Sequence, residues 1–172
     1  TSAERPNPMQ FSSSTGELTL DMEKETFGAI SPRSEGAVLP PGQSFHGRFM
    51  KVEKNSAFAG FLAAAMDGNP LSQSMRILLI HATQCRNTGL TIRADGKTYD
   101  SWGTLPLLMR RGTAQVTFAR DLSGFTLYAL DFDGARLFRV PLTRNGFEAD
   151  NSPGGKAVAA YELAKESQDV RL

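Results

Sequence analysis

Residues 125–141 read FTLYALDFDGARLFRVP. Two short runs rich in apolar and aromatic residues, 125–132 and 135–141, flank Asp133-Gly134. Asp-Gly tolerates the positive φ angles that a tight hairpin turn requires, so the stretch reads as two antiparallel strands joined directly. A helix of this length would need apolar residues every three to four positions and no glycine in its centre.

The same punctuation recurs along the chain. Asp67-Gly68-Asn69-Pro70, Asp95-Gly96 and Asn145-Gly146 are also turn chemistry. Strands are expected at 17–21 and 26–30, around a polar bend at 22–24, and at 35–39, 76–81, 113–119 and 157–163. Residues 44–52 alternate loosely and read as one further strand. Residues 57–66 are apolar nearly throughout. Phe58, Phe61, Leu62 and Ala65 fit a helical period, but Gly60 and the following turn favour a strand buried on both faces. Residues 105–110 read as a short helical turn or a bridge. Ten or more short strands with turns between them predict an all-β fold. The expected form is a two-sheet antiparallel β-sandwich, jelly-roll-like, with little helix. Phe61, Ile77, Leu79, Val116, Phe118, Leu127, Ala129 and Leu137 form the expected core. Residues 1–10, polar with two prolines, read as a lead-in or linker, 11–166 as a single domain, and 167–172 as a fraying tail.

Composition narrows the function. The chain has 172 residues, 40% of them hydrophobic, enough for a core. Its formal net charge is +1, which argues against a nucleic-acid or membrane-surface binder. No apolar run is long enough for a transmembrane helix. The chain opens on Thr1 without a signal peptide and reads as a module cut from a longer protein.

Catalytic chemistry is short of parts. The sequence holds one cysteine, Cys85, and two histidines, His46 and His81. Cys85 reads as a small buried residue, His81 as a core-edge histidine bonded to backbone or a turn, and His46 as solvent-facing. No G-x-S-x-G elbow, phosphate-binding loop or zinc spacing occurs. Asp67, Asp95, Asp131 and Asp133 are candidate carboxylates for glycoside hydrolysis, but they fall in turns, where aspartate serves the backbone. No cofactor is expected; a structural calcium ion held by converging loop oxygens stays open.

The remaining lead is aromatic. Tyr99, Asp100 and Trp102, the only tryptophan, lie together in a polar, Gly-flanked stretch. Two readings compete. In the preferred one, Trp102 plugs the sandwich core from a loop. In the other, Tyr99 and Trp102 stack on sugar rings while Asp100 and Arg110 read hydroxyls.

Several stretches are similar to a known region. Met75-Arg76-Ile77-Leu78-Leu79-Ile80-His81-Ala82-Thr83 with Arg86-Asn87-Thr88-Gly89, Trp102-Gly103-Thr104-Leu105-Pro106-Leu107-Leu108 with Arg111-Gly112-Thr113-Ala114, and Tyr128-Ala129-Leu130-Asp131 with Gly134-Ala135-Arg136 resemble the C-terminal β-sandwich accessory region of large bacterial glycoside hydrolase-like proteins. Leu18-Thr19-Leu20-Asp21, Ser31-Pro32-Arg33-Ser34-Glu35 and Leu71-Ser72-Gln73-Ser74 are similar to its opening strands and a turn. The pattern departs at Ala82-Thr83-Gln84-Cys85 and at Leu107, where a histidine is usual. The resemblance implies a polysaccharide-degrading parent whose catalytic barrel lies outside this chain.

The expected function is therefore a non-catalytic carbohydrate-binding accessory module, extracellular or periplasmic. Its partners would be a polysaccharide or oligosaccharide and the parent's catalytic domain, with no nucleic acid and no membrane. The alternative is a structural domain that packs on that barrel and binds no sugar. An independent enzyme is the third reading, for which the sequence offers no assembled acid–base pair.

Overall fold

The structure, a computed structural model, describes residues 9–165. Most of the expected lead-in and the expected tail lie outside these residues. Within them every regular element is a β-strand except one 3-10 turn at Pro153–Gly155.

The strands are β1 (Gln10–Ser12), β2 (Leu18–Asp21), β3 (Thr26–Ile30), β4 (Ser34–Leu39), β5 (Phe45–His46), β6 (Met50–Glu53), β7 (Ala59–Ala65) and β8 (Arg76–Thr83). They continue with β9 (Cys85–Thr88), β10 (Thr91–Ile92), β11 (Tyr99–Ser101), β12 (Thr104–Met109), β13 (Thr113–Phe118), β14 (Phe125–Leu130), β15 (Arg136–Val140), β16 (Gly146–Asp150) and β17 (Ala160–Lys165). A nine-stranded sheet runs in the order β1-β2-β3-β4-β7-β8-β17-β14-β15, and a four-stranded sheet runs β16-β13-β6-β5. Every pairing is antiparallel. The fold is an all-β sandwich.

The two sheets share one core. From the larger come Leu39, Phe61, Ile77, Leu79, Leu127, Tyr161 and Leu163; from the smaller come Val52, Val116, Phe118 and Phe147. Phe147 bridges them: its ring lies 6.3 Å from that of Phe118 and 5.2 Å, edge-on, from that of Tyr161. Seven of the eight expected core residues are buried; Leu137, on the edge strand β15, is half-buried because nothing pairs beyond it.

The hairpin at Asp133-Gly134 forms between β14 and β15 as its sequence dictates; β7 and β8 also pair as neighbours, but through a longer connection, residues 66–75, that only begins with Asp67-Gly68. Three expectations need correction. Asn145-Gly146 closes no hairpin: β15 belongs to the larger sheet and β16 to the smaller, so the chain crosses the sandwich there. β7 is a strand, but its apolar run alternates buried with half-buried positions, because only one face of the nine-stranded sheet is covered. Residues 44–52 are two strands, β5 and β6, folded back on each other.

The cause of that last turn lies outside its own sequence. Glu35 on β4 is 1% exposed and points across the sandwich. Its Oε1 accepts N–H bonds from Arg48 and Phe49, and its Oε2 from Phe49 and Met50, at 2.8–3.0 Å. One carboxyl group thus satisfies three turn amides that burial would otherwise leave unpaired. Gly47 makes room for it, since a Cβ there would collide with the Glu35 carboxyl and sit 2.9 Å from the Met50 carbonyl oxygen.

Gly47→Ala should therefore destabilise the protein by about 2–4 kcal/mol, by displacing the Glu35 carboxyl and leaving the three amides unpaired. Leu79→Ala should cost about 2–5 kcal/mol through a core cavity. Urea denaturation measures both, and a loss below about 1 kcal/mol in either would contradict the packing described here.

Candidate functional site

Between β8 and β13 the chain leaves the sandwich as an arm. β9 pairs with β12 and β10 with β11, so residues 84–110 form a ribbon that joins neither main sheet. Residues 104–109 are thus a strand and not a helical turn. The turn at Asp95-Gly96 closes the β10–β11 pair.

The arm is held at its root by one buried amide. Asn151 is fully buried; its Oδ1 accepts the Gly112 N–H at 2.9 Å, and its Nδ2 donates to Thr83 Oγ1 at 2.7 Å and to the Arg110 carbonyl at 2.9 Å. Thr83 Oγ1 in turn donates to that same carbonyl, and the Arg110 N–H donates to Gln84. Both strands are thereby fixed where they depart. Farther out, Asn87 Nδ2 donates to the Trp102 carbonyl at 2.9 Å and Thr88 Oγ1 to the Pro106 carbonyl at 2.7 Å. Gly103, at φ +68°, completes the bend after Trp102; a Cβ there would strike the Thr88 carbonyl and come within 2.7 Å of the Leu90 nitrogen.

Trp102 is 69% exposed, which overturns its expected place in the core. The physical reason is the arm itself, which carries residues 99–102 away from both sheets. Trp102 stacks on Tyr99 with ring centroids 4.4 Å apart and planes 29° apart. Asp100 is exposed, and its Oδ1 accepts from Arg93 Nε at 2.6 Å. Arg110 lies at the root, its guanidinium donating to Gln84 Oε1 at 3.3 Å. Tyr99 and Arg110 line one open cleft of about 750 Å³, together with Arg86, Leu90, Ile92 and Leu108. Trp102 touches this cleft only through its stack on Tyr99, and Asp100 does not line it.

Arg86 was not legible as a site residue because residues 85–88 carry no strand alternation that would have placed them opposite β12. Cys85 also lines the cleft and is exposed, not buried as expected, since the arm has no covered face at that point.

The other candidates are placed as follows. Asp67 accepts from the Met75 and Asn69 amides, which pull its pKa down to about 2. Asp95 accepts from Lys97, Thr98 and the Thr98 hydroxyl, which also hold it below the usual carboxylate range. Asp131 and Asp133 accept from Phe132 and Ala135. All four turn aspartates thus bond local backbone. His46 is exposed, 4.0 Å from Glu53. Among the described residues no three of His, Cys, Asp and Glu converge as a metal-binding set, and no helix is long and apolar enough to cross a membrane.

His81 departs from its expected backbone bonding. It is buried, its ring stacks on Phe61 at 4.8 Å, and neither nitrogen has a hydrogen-bond partner among the described residues. It faces inward from β8 opposite Phe61 on β7.

No protein-family model, curated protein or solved structure matches the chain.

Burial lowers the His81 pKa from 6.5 to about 4, against a smaller opposing pull from Asp150. A neutral histidine in the fold takes up no proton where the unfolded chain does, so stability should fall as pH drops from about 6.5 toward about 4. The whole loss is about 3 kcal/mol. Urea midpoints between pH 7.5 and pH 4.5 measure it. His81→Phe, which keeps the stack and removes the titration, should flatten the slope between pH 6.5 and 5 (the part least affected by carboxylates).

Proposed function

We propose that this chain is a non-catalytic carbohydrate-binding module, and that the arm carries its binding site. One observation carries the reading: the only tryptophan is displayed to solvent and stacked on Tyr99. An exposed indole contributes little to the stability of a fold. Its flat face is well suited to the C–H face of a sugar ring, which presents apolar contact with no charge. The polar groups around it, Asp100 with Arg93 and the Asn87 amide that fixes the Trp102 carbonyl, give the platform a defined orientation.

A non-catalytic role is supported by the disposition of the titratable groups. The turn aspartates bond backbone amides, and His81 is sealed in the core. The resemblance of the strand motifs to glycoside hydrolase accessory regions supports an exported bacterial parent whose barrel degrades the polysaccharide this module holds.

A second reading has its own support. Register pairing aligns Phe11, Leu20, Phe27 and Val38 on the uncovered face of the nine-stranded sheet, with Gly60 and Ala82 continuing the row. Leu18 lies in the next row with Ala29, Leu62 and Ile80. Phe11, Leu18, Leu20 and Phe27 are each 39–53% exposed. Such a face suits packing against a neighbouring domain, and the two roles are compatible because the face and the arm are different elements.

Affinity electrophoresis through gels containing plant and algal polysaccharides tests the proposal. Wild-type protein should be retarded by at least one of them. Trp102→Ala should abolish the retardation and change stability by less than about 1 kcal/mol, as expected for an exposed side chain. Wild-type mobility unchanged in every gel would leave packing as the role, and a Trp102→Ala protein still retarded would remove the platform from the site.

A further inference from the structure

The cleft beneath the aromatic platform has a one-sided charge. Its lining includes two guanidinium groups, Arg86 and Arg110, beside Tyr99, Leu90 and Ile92, and no acidic residue. The Arg86 side chain has no hydrogen-bond or ion-pair partner among the described residues, and the Arg110 guanidinium meets only the neutral amide of Gln84. Five other arginines face carboxylates: Arg93 with Asp100, Arg111 with Asp150, Arg144 with Asp121, and Arg76 and Arg136 with Glu162; what sets Arg86 and Arg110 apart is that they share one cleft with an aromatic ring. Two forked cations left without carboxylates beside an exposed aromatic ring form a site that a neutral ligand would leave electrostatically unanswered.

We infer that the ligand of the arm is an acidic polysaccharide, its carboxylate or sulfate groups held by Arg86 and Arg110 while sugar rings lie against Tyr99 and Trp102. The inference rests on the carbohydrate-binding reading above and narrows it to one chemical class. A volume of about 750 Å³ falls within the range of small-ligand sites and accommodates a short segment of a chain passing through. Nucleic acid, which also combines negative charge with flat rings, is a poorer match. Its backbone demands a row of cations along the bound strand, and the cleft provides two on a protein of net charge +1.

The two halves of the claim separate experimentally. Isothermal titration of the whole chain would use polygalacturonate, its fully methyl-esterified form, a sulfated galactan and the desulfated galactan. Binding to one charged polymer, at least tenfold weaker to its neutral counterpart, is the expected result, and the two charged polymers tell carboxylate from sulfate. Arg86→Gln and Arg110→Gln should each weaken that binding by about tenfold, the scale of one charge-assisted contact partly screened by water. Both side chains are exposed, so unchanged melting temperatures should confirm intact folds. Raising salt from about 0.1 M to about 1 M, which shortens the Debye length from about 10 to about 3 Å, should weaken it further.

Equal binding to charged and neutral polymers, lost in Trp102→Ala but kept in both arginine variants, would overturn this inference and leave the carbohydrate-binding reading standing. No binding to any polymer would overturn both. An unstructured oligonucleotide bound more tightly than either charged polysaccharide would replace the ligand class.

Discussion

The amide of Asn151 ties the arm to the sandwich. One acceptor and two donors, all buried, hold Gly112, Thr83 and the Arg110 carbonyl at the place where β8 runs out and β13 begins. Everything beyond that point is a ribbon of paired strands with no sheet behind it, and an isolated two-stranded ribbon is marginal in water. The position of Arg110 and the base of the cleft follow directly from this clamp. Tyr99 and Trp102 follow less directly, through the Asn87 bond and the bend at Gly103.

Glu35 performs the matching task between the sheets. Its carboxyl group reaches from β4 to the β5–β6 turn and satisfies three amides there. Buried polar groups are tolerated only when their partners are complete. Asn151 and Glu35 meet that condition. His81 does not, and its lowered pKa is the consequence of a core that stacks against the ring but offers its nitrogens nothing.

The molecule thus presents two surfaces of different character. The uncovered face of the nine-stranded sheet is apolar, with small residues at Gly60, Ala29 and Ala82 between the larger ones. The arm is narrow, aromatic and locally cationic. An apolar face suits burial against another protein surface, whereas an open cleft with guanidinium groups beside an aromatic ring suits recognition by charge and ring stacking. Under the proposed function, separating them on different elements would let one module be anchored by one surface and bind with the other.

The sequence by itself determined the strands that carry their own punctuation. Asp133-Gly134 and Asp95-Gly96 each closed a hairpin, and Val116 and Phe118 on the expected 113–119 strand face inward, because turn chemistry and period-two burial act within a few residues. The β-sandwich class follows from those local signals added together. Tertiary structure alone decided what depends on distant partners. The break at 47–49 is set by a carboxyl group on another strand, and the crossing at Asn145-Gly146 by which sheet β16 joins. Trp102 is exposed because residues 84–110 pair with one another and with neither sheet. A polar stretch with one tryptophan is compatible with a loop over the core or a ribbon beyond it, and only long-range pairing distinguishes the two. Arg86 entered the cleft for the same reason: β12, which lies across from it, is about twenty residues away in the chain.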